Sequence, residues 1–297
     1  MKIKDVLKKI ADNKVIKSVF YVIGKVVNTI NRHRIYNKGA ELAYYMVIGL
    51  LTIIATVVYA AHFIPNLIQT VNQQFLVLLP ENVSELILNA MLEIKMPKSI
   101  TVIVATSITS IWFVSRAMHS IMISFNEIYG VKGNHIGFKS KAFSILFTLA
   151  LIAMFLILFA MTIVQGALSG FIEKYFNTSM SIFKNNEFWE TLISAGILLF
   201  IFNSLYYYLP NKKLRWYYSV PGAVFSTFMW ILMSKGFTLF INSISSFSWI
   251  LGSFGSLFVF LIWIYYSALF LLIGAVINSI IMRRVEAKKA LDEAKEA

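Results

Sequence analysis

The stretch GSFGSLFVFLIWIYYSALFLLIGAVIN occupies residues 252–278, inside an apolar run over about 251–282 that contains no charged residue. A helix needs roughly 20 apolar residues to cross a hydrocarbon core of about 30 Å, so this run is long enough to span a membrane. The strand of a membrane barrel would alternate apolar and polar residues over about ten positions. The run is continuous instead, and it therefore predicts a transmembrane helix.

Five further apolar runs of spanning length precede it. They lie at about 41–62, 100–123, 141–170, 189–209 and 217–241. Hydrophobic residues make up 58% of the 297 residues, the mean hydropathy is +0.72, and only 14% are charged, against about 25% in a typical soluble domain. One soluble core cannot bury that much apolar surface. The sequence predicts an all-α integral membrane protein, a bundle of six transmembrane helices.

The basic residues predict the orientation, because cytoplasmic loops carry the Lys/Arg excess. With both termini inside, 21 Lys/Arg residues fall on the cytoplasmic side and four outside, namely Lys95, Lys98, Lys174 and Lys184. This distribution accounts for the net charge of +13 without a nucleic-acid partner. The prediction is a multi-pass protein with the N- and C-termini in the cytoplasm.

The segments outside the spans divide the chain into three parts. Residues 1–38 form a basic cytoplasmic segment, 39–282 the six-span membrane domain, and 283–297 a charged cytoplasmic tail. Within the first part, 15–30 place apolar residues at helical spacing. This amphipathic helix either lies on the anionic inner leaflet or packs against the bundle from below.

A long connection follows the first span, at 63–99, and prolines punctuate it. Between them, 66–79 and 81–94 have the pattern of two short amphipathic helices. With the predicted orientation, this helical loop is extracytoplasmic and would cap the outer face of the bundle.

Ionisable residues inside spans are rare, and each indicates a functional site. Arg116 lies in the second span, and Glu127 follows eleven residues later at its cytoplasmic end. Eleven residues are close to three helical turns, so the two share one side with Thr109 and Ser120. This polar stripe is expected to face the bundle interior. It predicts either a site for an anionic group such as a phosphate, or a structural ion pair with Glu41.

Other polar residues in the spans allow simpler interpretations. Lys235 lies toward the outer end of the fifth span, where a lysine either reaches the interface or meets a head group. Asn203 and Asn278 are expected to form hydrogen bonds between helices, and Gly274 to allow close helix packing. The aromatic residues of 206–218 predict a belt at the membrane interface.

Motifs of catalysis are absent from the sequence. There is no cysteine, the four histidines are scattered without metal-ligand spacing, and no Gly-rich phosphate loop or GxSxG elbow occurs. We therefore expect no enzymatic activity, no cofactor, no metal site and no nucleic-acid partner.

Four strings occur together, in the order GAELAYY (39–45), SFNEIYG (124–130), YYYLPNKKLRWYYSVPGA (206–223) and the 252–278 stretch. With these strings, over roughly 35–282, the chain resembles the YihY/BrkB family of bacterial inner-membrane proteins. The resemblance implies location in the bacterial cytoplasmic membrane. Some members carry the older name ribonuclease BN, and others are linked to resistance to serum killing or to export of lipopolysaccharide-type lipids.

The leading hypothesis is a membrane transporter or flippase-like protein for an amphiphilic or anionic envelope component, a lipid or glycolipid. The predicted partners are membrane lipids, including anionic head groups, and the oligomeric state is left open. The candidate substrate-binding residues are Glu41, Arg116, Ser120, Glu127 and Lys235.

Two alternatives stand beside this hypothesis. One is a non-transporting scaffold that recruits envelope-biogenesis partners through the basic N-terminal segment and the tail. The other is a tRNA-processing ribonuclease, which the sequence disfavours because a hydrolytic nuclease needs a metal cluster or an acid/base pair.

Overall fold

In a computed structural model, the described residues are 24–61, 63–64, 67–74, 81–93, 99–131, 187–212, 215–244 and 248–296. They are predominantly helical and include no strand. After a helical segment at 24–32, the helices of this described part are α1 Ile35–Ala60, α2 Leu67–Gln74, α3 Glu81–Glu93, α4 Ile100–Tyr129, α5 Glu187–Tyr208, α6 Trp216–Ile244 and α7 Ser248–Glu296.

Five of these helices coincide with predicted spans, and the remaining predicted span, 141–170, lies outside the described residues. Three described helical stretches are long and apolar enough to cross a membrane: α1, α4 and residues Phe260–Lys295 of α7. The all-helical membrane class is thereby confirmed. The count of six spans and the cytoplasmic location of the termini stay predictions.

The two short helices expected after the first span are present as α2 and α3. Ile87 and Met91 of α3 are buried in the main core, and α3 packs against α1, so this connection is part of the folded bundle. Of the predicted amphipathic helix at 15–30, residues 24 onward are described and helical, with Ile30 buried and Val27 exposed.

The core forms where α7 meets the other long helices. Helix α1 packs along α4, α6 packs against both α5 and α7, and α7 also contacts α1 and α4. Leu272, Ala275, Val276 and Asn278 of α7 are fully buried. Helix α7 therefore joins the α1–α4 pair to α6, against which α5 packs.

Burial along α4 changes sharply with position. From Ala117 to Tyr129 most side chains are buried, whereas Ser110 is the one buried side chain among the described residues 100–116. The helix ends at Gly130, whose φ of 72° is left-handed and suits glycine as a helix C-cap. We call this side of the bundle, where α4 ends and α1 begins, the basic end.

The C-terminal part of α7 runs past the core without a break. Its 49 residues correspond to roughly 73 Å of helix, which is more than a bilayer requires. From Arg283 onward nearly every described side chain is exposed. The charged tail predicted at 283–297 is helical as far as Glu296.

Candidate functional site

Glu127 of the predicted polar stripe forms an ion pair with Lys38 of α1. The two residues are 89 positions apart in the chain, and the pair joins the start of α1 to the end of α4. The Glu127 side chain is 51% exposed, so the pair lies at the surface of the basic end. Sequence reasoning identified Glu127 but missed Lys38, which it counted only as a topology signal.

Arg116 lies 13 residues before the end of α4, which is roughly 20 Å along the helix. Its side chain is exposed, and its guanidinium carbon is 5.5 Å from the centre of the Trp112 ring and 6.0 Å from that of Tyr45 on α1. These distances are typical of cation–π contacts. Among the described residues, Arg116 has no carboxylate partner.

The expectation that the whole stripe faces the bundle interior is therefore wrong. Ser120 is buried, but Thr109, Arg116 and Glu127 are exposed. The spacing correctly placed these residues near one side of the helix, yet that side lies at the edge of the α1–α4 contact. The alternative of an ion pair between Arg116 and Glu41 is also not observed among the described residues.

Glu41 and Lys235 are both exposed. Glu41 lies on α1 one turn after Lys38, so it belongs to the basic end. Lys235 lies 19 residues into α6, and among the described residues it has no hydrogen bond or ion pair. The structure therefore does not gather the five predicted residues into one pocket. It separates an exposed cation at mid-helix, Arg116, from an ion pair at the basic end.

A buried polar junction joins α5, α6 and α7, and it contains both asparagines expected to link helices. Asn278 Oδ1 accepts the Gly222 N–H at 2.6 Å, and Asn278 Nδ2 donates to the Ser219 carbonyl at 3.0 Å. The Ser219 hydroxyl donates to Asn203 Oδ1 at 2.7 Å. The interhelical hydrogen bonds predicted for Asn203 and Asn278 are thereby confirmed.

Pro221 explains why α6 needs a polar partner at this point. A proline inside a helix has no N–H and its ring displaces the preceding turn, and Pro221 lies between the two α6 groups that Asn278 binds. The small Gly222 lets α7 approach, because a Cβ there would overlap the Gly274 carbonyl and the Asn278 amide. Close packing at Gly274 is confirmed by the same contact.

Tyr206 completes the junction, and its place in an interfacial belt is a wrong prediction. The side chain is completely buried. Its hydroxyl donates to the Leu271 carbonyl at 2.7 Å and lies 2.7 Å from Ser226 Oγ. Tyr208, Trp216 and Tyr217 are exposed, as an aromatic belt requires. Tyr206 could have been distinguished by its helical position, three residues after Asn203, on the side that faces α6.

A second group of polar contacts holds the end of α4. The Ile128 carbonyl accepts from Ser279 Oγ at 2.8 Å and from Arg283 Nη2 at 3.0 Å, both on α7. The Asn211 backbone N–H donates to Asn126 Oδ1 at 2.8 Å. A cation at a helix C-terminus satisfies free carbonyls and favours the helix dipole, so Arg283 acts as a cap supplied by another helix.

His33 precedes α1 at this end of the bundle. Burial, and next the charge of Lys38, lower the pKa of His33, while Glu127 acts in the opposite direction. The lowered pKa of His33 favours the neutral imidazole. Among the described residues, no group of three His, Asp or Glu side chains is arranged to hold a metal ion.

The helical bundle, its apolar surface and its membrane-length helices define a multi-pass membrane protein. The sequence family comparison is more specific, because the family described as Virulence factor BrkB matches residues 26–297. The chain belongs to this family, which confirms the resemblance drawn from the four strings.

The names of similar proteins carry little functional information. The chain is 28% identical over 265 residues to the "Putative ribonuclease-like protein YfkH" of Bacillus subtilis, covering 88% of this chain and 94% of that protein. It is 24% identical over 252 residues to a UPF0761 membrane protein of Delftia acidovorans, covering 81% and 57%. With a UPF0761 membrane protein of Aromatoleum aromaticum, the match is 33% identical over 88 residues, covering 30% and 22%. No solved structure matches the chain.

Proposed function

We propose that this protein moves an amphiphilic, anionic envelope component, a lipid or glycolipid, across the bacterial cytoplasmic membrane. The observation that carries the proposal is Arg116. It is an exposed guanidinium roughly 20 Å from the end of a membrane-length helix, with two aromatic rings as its contacts.

Two opposing free energies act on Arg116. An arginine near the middle of a spanning helix costs about 2.5–3.5 kcal/mol on insertion scales. Contacts with two rings at 5.5 and 6.0 Å return about 0.5–1 kcal/mol each when the site is exposed. A deficit of about 0.5–2.5 kcal/mol remains, and an anionic group or water must offset it.

The chemistry of the guanidinium favours a particular class of anion. Its planar fork of donors matches a phosphate or carboxylate with two parallel hydrogen bonds. The exposed ring of Trp112 lies beside it, and α1 and α4 carry further exposed apolar side chains such as Leu51 and Ile108. A charged group beside an apolar surface suits a molecule that carries a phosphate or carboxylate and an acyl chain.

The test is translocation of labelled lipid in proteoliposomes. The purified chain is reconstituted with a fluorescent phosphatidylglycerol, and transfer between leaflets is followed by dithionite quenching. Fluorescent phosphatidylcholine serves as the zwitterionic comparison. We expect faster transfer than in protein-free vesicles and a preference for the anionic lipid.

The site is tested by Arg116→Gln, with Arg116→Lys as the charge-preserving variant. Lys289→Gln is the matched control, because it removes the same charge from the exposed tail. We expect a loss of tenfold or more in Arg116→Gln, a partial loss in Arg116→Lys and no change in the control. Equal transfer with and without protein would refute the function, and unchanged transfer in Arg116→Gln would refute the site.

The exposed end of α7 favours a second candidate function, a scaffold that recruits envelope-biogenesis partners. Residues 283–295 carry both acidic and basic side chains on a helix beyond the core. A stoichiometric partner that co-purifies in mild detergent, and that is lost on deletion of 285–297, would support the scaffold. Lipid transfer by the pure protein would favour transport instead.

A further inference from the structure

Three cations from different parts of the chain lie around His33 at the basic end. Lys38 of α1 pairs with Glu127 near the end of α4, and Arg283 of α7 bonds the backbone carbonyl of the residue that follows Glu127. Burial is the largest influence on the pKa of His33, and the charges that act on it next are those of Lys38, Glu127, Arg283 and Arg32. The helical segment before α1, α1 itself, α4 and α7 therefore meet at this point.

The positive charges of Arg32, Lys38 and Arg283, which we call the basic cluster, exceed the negative charge beside them. Glu127 offsets one of the three through its pair with Lys38. Among the described residues, neither arginine forms an ion pair. Like charges held close together repel one another, and the Lys38 side chain is only 17% exposed, so water screens this repulsion incompletely. An anion bound at the basic cluster would offset the excess charge.

Both arginines of the basic cluster have donors left for a ligand. A guanidinium carries five N–H donors, and Arg283 uses Nη2 for the Ile128 carbonyl at 3.0 Å. Both side chains are exposed, so a ligand can reach them. The planar fork of an arginine matches phosphate oxygens with two parallel hydrogen bonds. A phosphate group, whose charge is spread over several oxygens, suits a site that presents two such forks and an ammonium group.

Apolar side chains beside the basic cluster favour a lipid over a soluble phosphate. Tyr36, in the first turn of α1, and Val27, in the helical segment before it, are each 52% exposed. Because α1 is a membrane-length helix that begins at Ile35, the basic cluster lies where a span leaves the hydrocarbon. Exposed tyrosines are typical of this level, and so are helices that carry both basic and apolar side chains. The phosphate groups of lipids lie at the same level.

We propose that Arg32, Lys38 and Arg283 bind the phosphate group of an anionic phospholipid at the basic end of the bundle. With the predicted orientation, this lipid belongs to the cytoplasmic leaflet. The site is separate from Arg116, which lies 13 residues before the end of α4. The inference goes beyond the proposed function, because the bound lipid links the segment before α1 to α7 and need not cross the membrane.

The first experiment measures lipid binding by native mass spectrometry of the full-length chain in a non-ionic detergent. The chain carries Arg116→Gln, so that a lipid held at the proposed transport site does not contribute. It is titrated with dioleoylphosphatidylglycerol, with dioleoylphosphatidylcholine as the zwitterionic comparison and glycerol phosphate in large excess as the soluble competitor. We expect the anionic lipid to bind at least fivefold more tightly than the zwitterionic one, and glycerol phosphate not to displace it.

Arg32→Gln is the main variant in this titration, because among the described residues the Arg32 side chain has no hydrogen bond or ion pair that its loss would break. It should weaken phosphatidylglycerol binding at least threefold, and the addition of Arg283→Gln should weaken it at least tenfold. Lys289→Gln removes the same charge from the exposed tail and should change binding less than twofold. Equal losses in Arg32→Gln and Lys289→Gln, or equal affinity for both lipids, would overturn the site. Displacement by glycerol phosphate would overturn its assignment to a lipid.

The second experiment places the lipid beside His33. The imidazole signals are followed by NMR of chain labelled at histidine nitrogen, and the His33 signal is the one lost in His33→Gln. A phosphate next to the imidazole favours its charged form, so phosphatidylglycerol should raise the pKa of His33. The chain with Arg32→Gln and Arg283→Gln should not show this rise. An equal rise in both chains, or no rise in either, would overturn the position of the site.

The outcomes separate this inference from the proposed function. Phosphatidylglycerol bound at the basic cluster without any transfer between leaflets would leave the site standing and refute transport. Transfer that proceeds while Arg32→Gln and Arg283→Gln leave lipid binding unchanged would support transport and overturn the site.

Discussion

Replacing Asn278 by Ala tests the junction that holds α6 to α7. The variant removes the acceptor of the Gly222 N–H and the donor to the Ser219 carbonyl in a site with no solvent access. Each hydrogen bond contributes about 0.5–1.5 kcal/mol, and similar bonds between membrane helices average about 0.6 kcal/mol. The polar groups left unpaired, and the space left by the amide, add to this loss.

The expected total for Asn278→Ala is about 2–4 kcal/mol, which is roughly a 30- to 1,000-fold increase in the unfolding equilibrium constant. The assay is reversible unfolding in mixed micelles titrated with dodecyl sulfate, followed by tryptophan fluorescence. The free energy of unfolding is compared between the variant and the wild-type chain at the same lipid and detergent composition.

Two other asparagines provide graded controls. Asn203→Ala loses one bond from Ser219 Oγ, and that hydroxyl keeps a second acceptor, the Trp216 carbonyl at 2.6 Å. The free energy of unfolding should therefore fall by less than about 1.5 kcal/mol in Asn203→Ala. Asn37 is exposed, and Asn37→Ala should lie within about 0.5 kcal/mol of the wild type. If Asn278→Ala lowers the free energy of unfolding no more than Asn37→Ala does, the stabilising role of the Asn278 hydrogen bonds on either side of Pro221 is refuted.

Three further predictions concern the packing at Gly222, the pKa of His33 and the orientation of the C-terminus. Gly222→Ala should destabilise by about 1–3 kcal/mol through overpacking, measured in the same titration, and a stabilised variant would contradict the close approach to Gly274. Because the pKa of His33 is lower in the folded than in the unfolded chain, its contribution to the free energy of unfolding is fully present above the unfolded histidine pKa of about 6.5. That contribution is lost as pH falls through about 6.5 toward the lower folded pKa. The melting temperature should therefore change less between pH 7.5 and 5.0 in His33→Gln than in the wild type, and an unchanged pH dependence would refute the role of this histidine. With the C-terminus in the cytoplasm, Lys288→Cys should react with an impermeant maleimide in inverted vesicles and not in intact cells, and the reverse pattern would refute the orientation.

The positions of the helices could be predicted from the sequence because they depend on local properties. Long uncharged runs such as 251–282 must be helical and face lipid or each other, since unpaired backbone groups are not tolerated in hydrocarbon. The same physics identified Asn203 and Asn278, because a single amide in such a run must find a partner on another helix. Their predicted role was confirmed, although their partners Ser219 and Gly222 were not named.

The side that each helix turns toward its neighbours depends on tertiary packing. Helical spacing put Arg116 and Glu127 on one side of α4, but it could not show that this side is exposed, because spacing fixes angles between residues and not the direction of the core. Tyr206 was assigned to the interface for the same reason. The Lys38–Glu127 pair joins positions far apart in the chain, so no local pattern contained it.

An all-helical membrane protein of the BrkB family, the location of its described long helices and the need for polar links between them could all be predicted from the amino-acid sequence. Which residues meet depends on the packing of the helices: Asn278 contacts Gly222 next to Pro221, Arg283 the end of α4, and Arg116 two aromatic rings. Hydrophobicity and helical hydrogen bonding depend on residues close together in the chain. Ion pairs, helix caps from another helix and interhelical hydrogen bonds require two segments that are distant in sequence to come into contact.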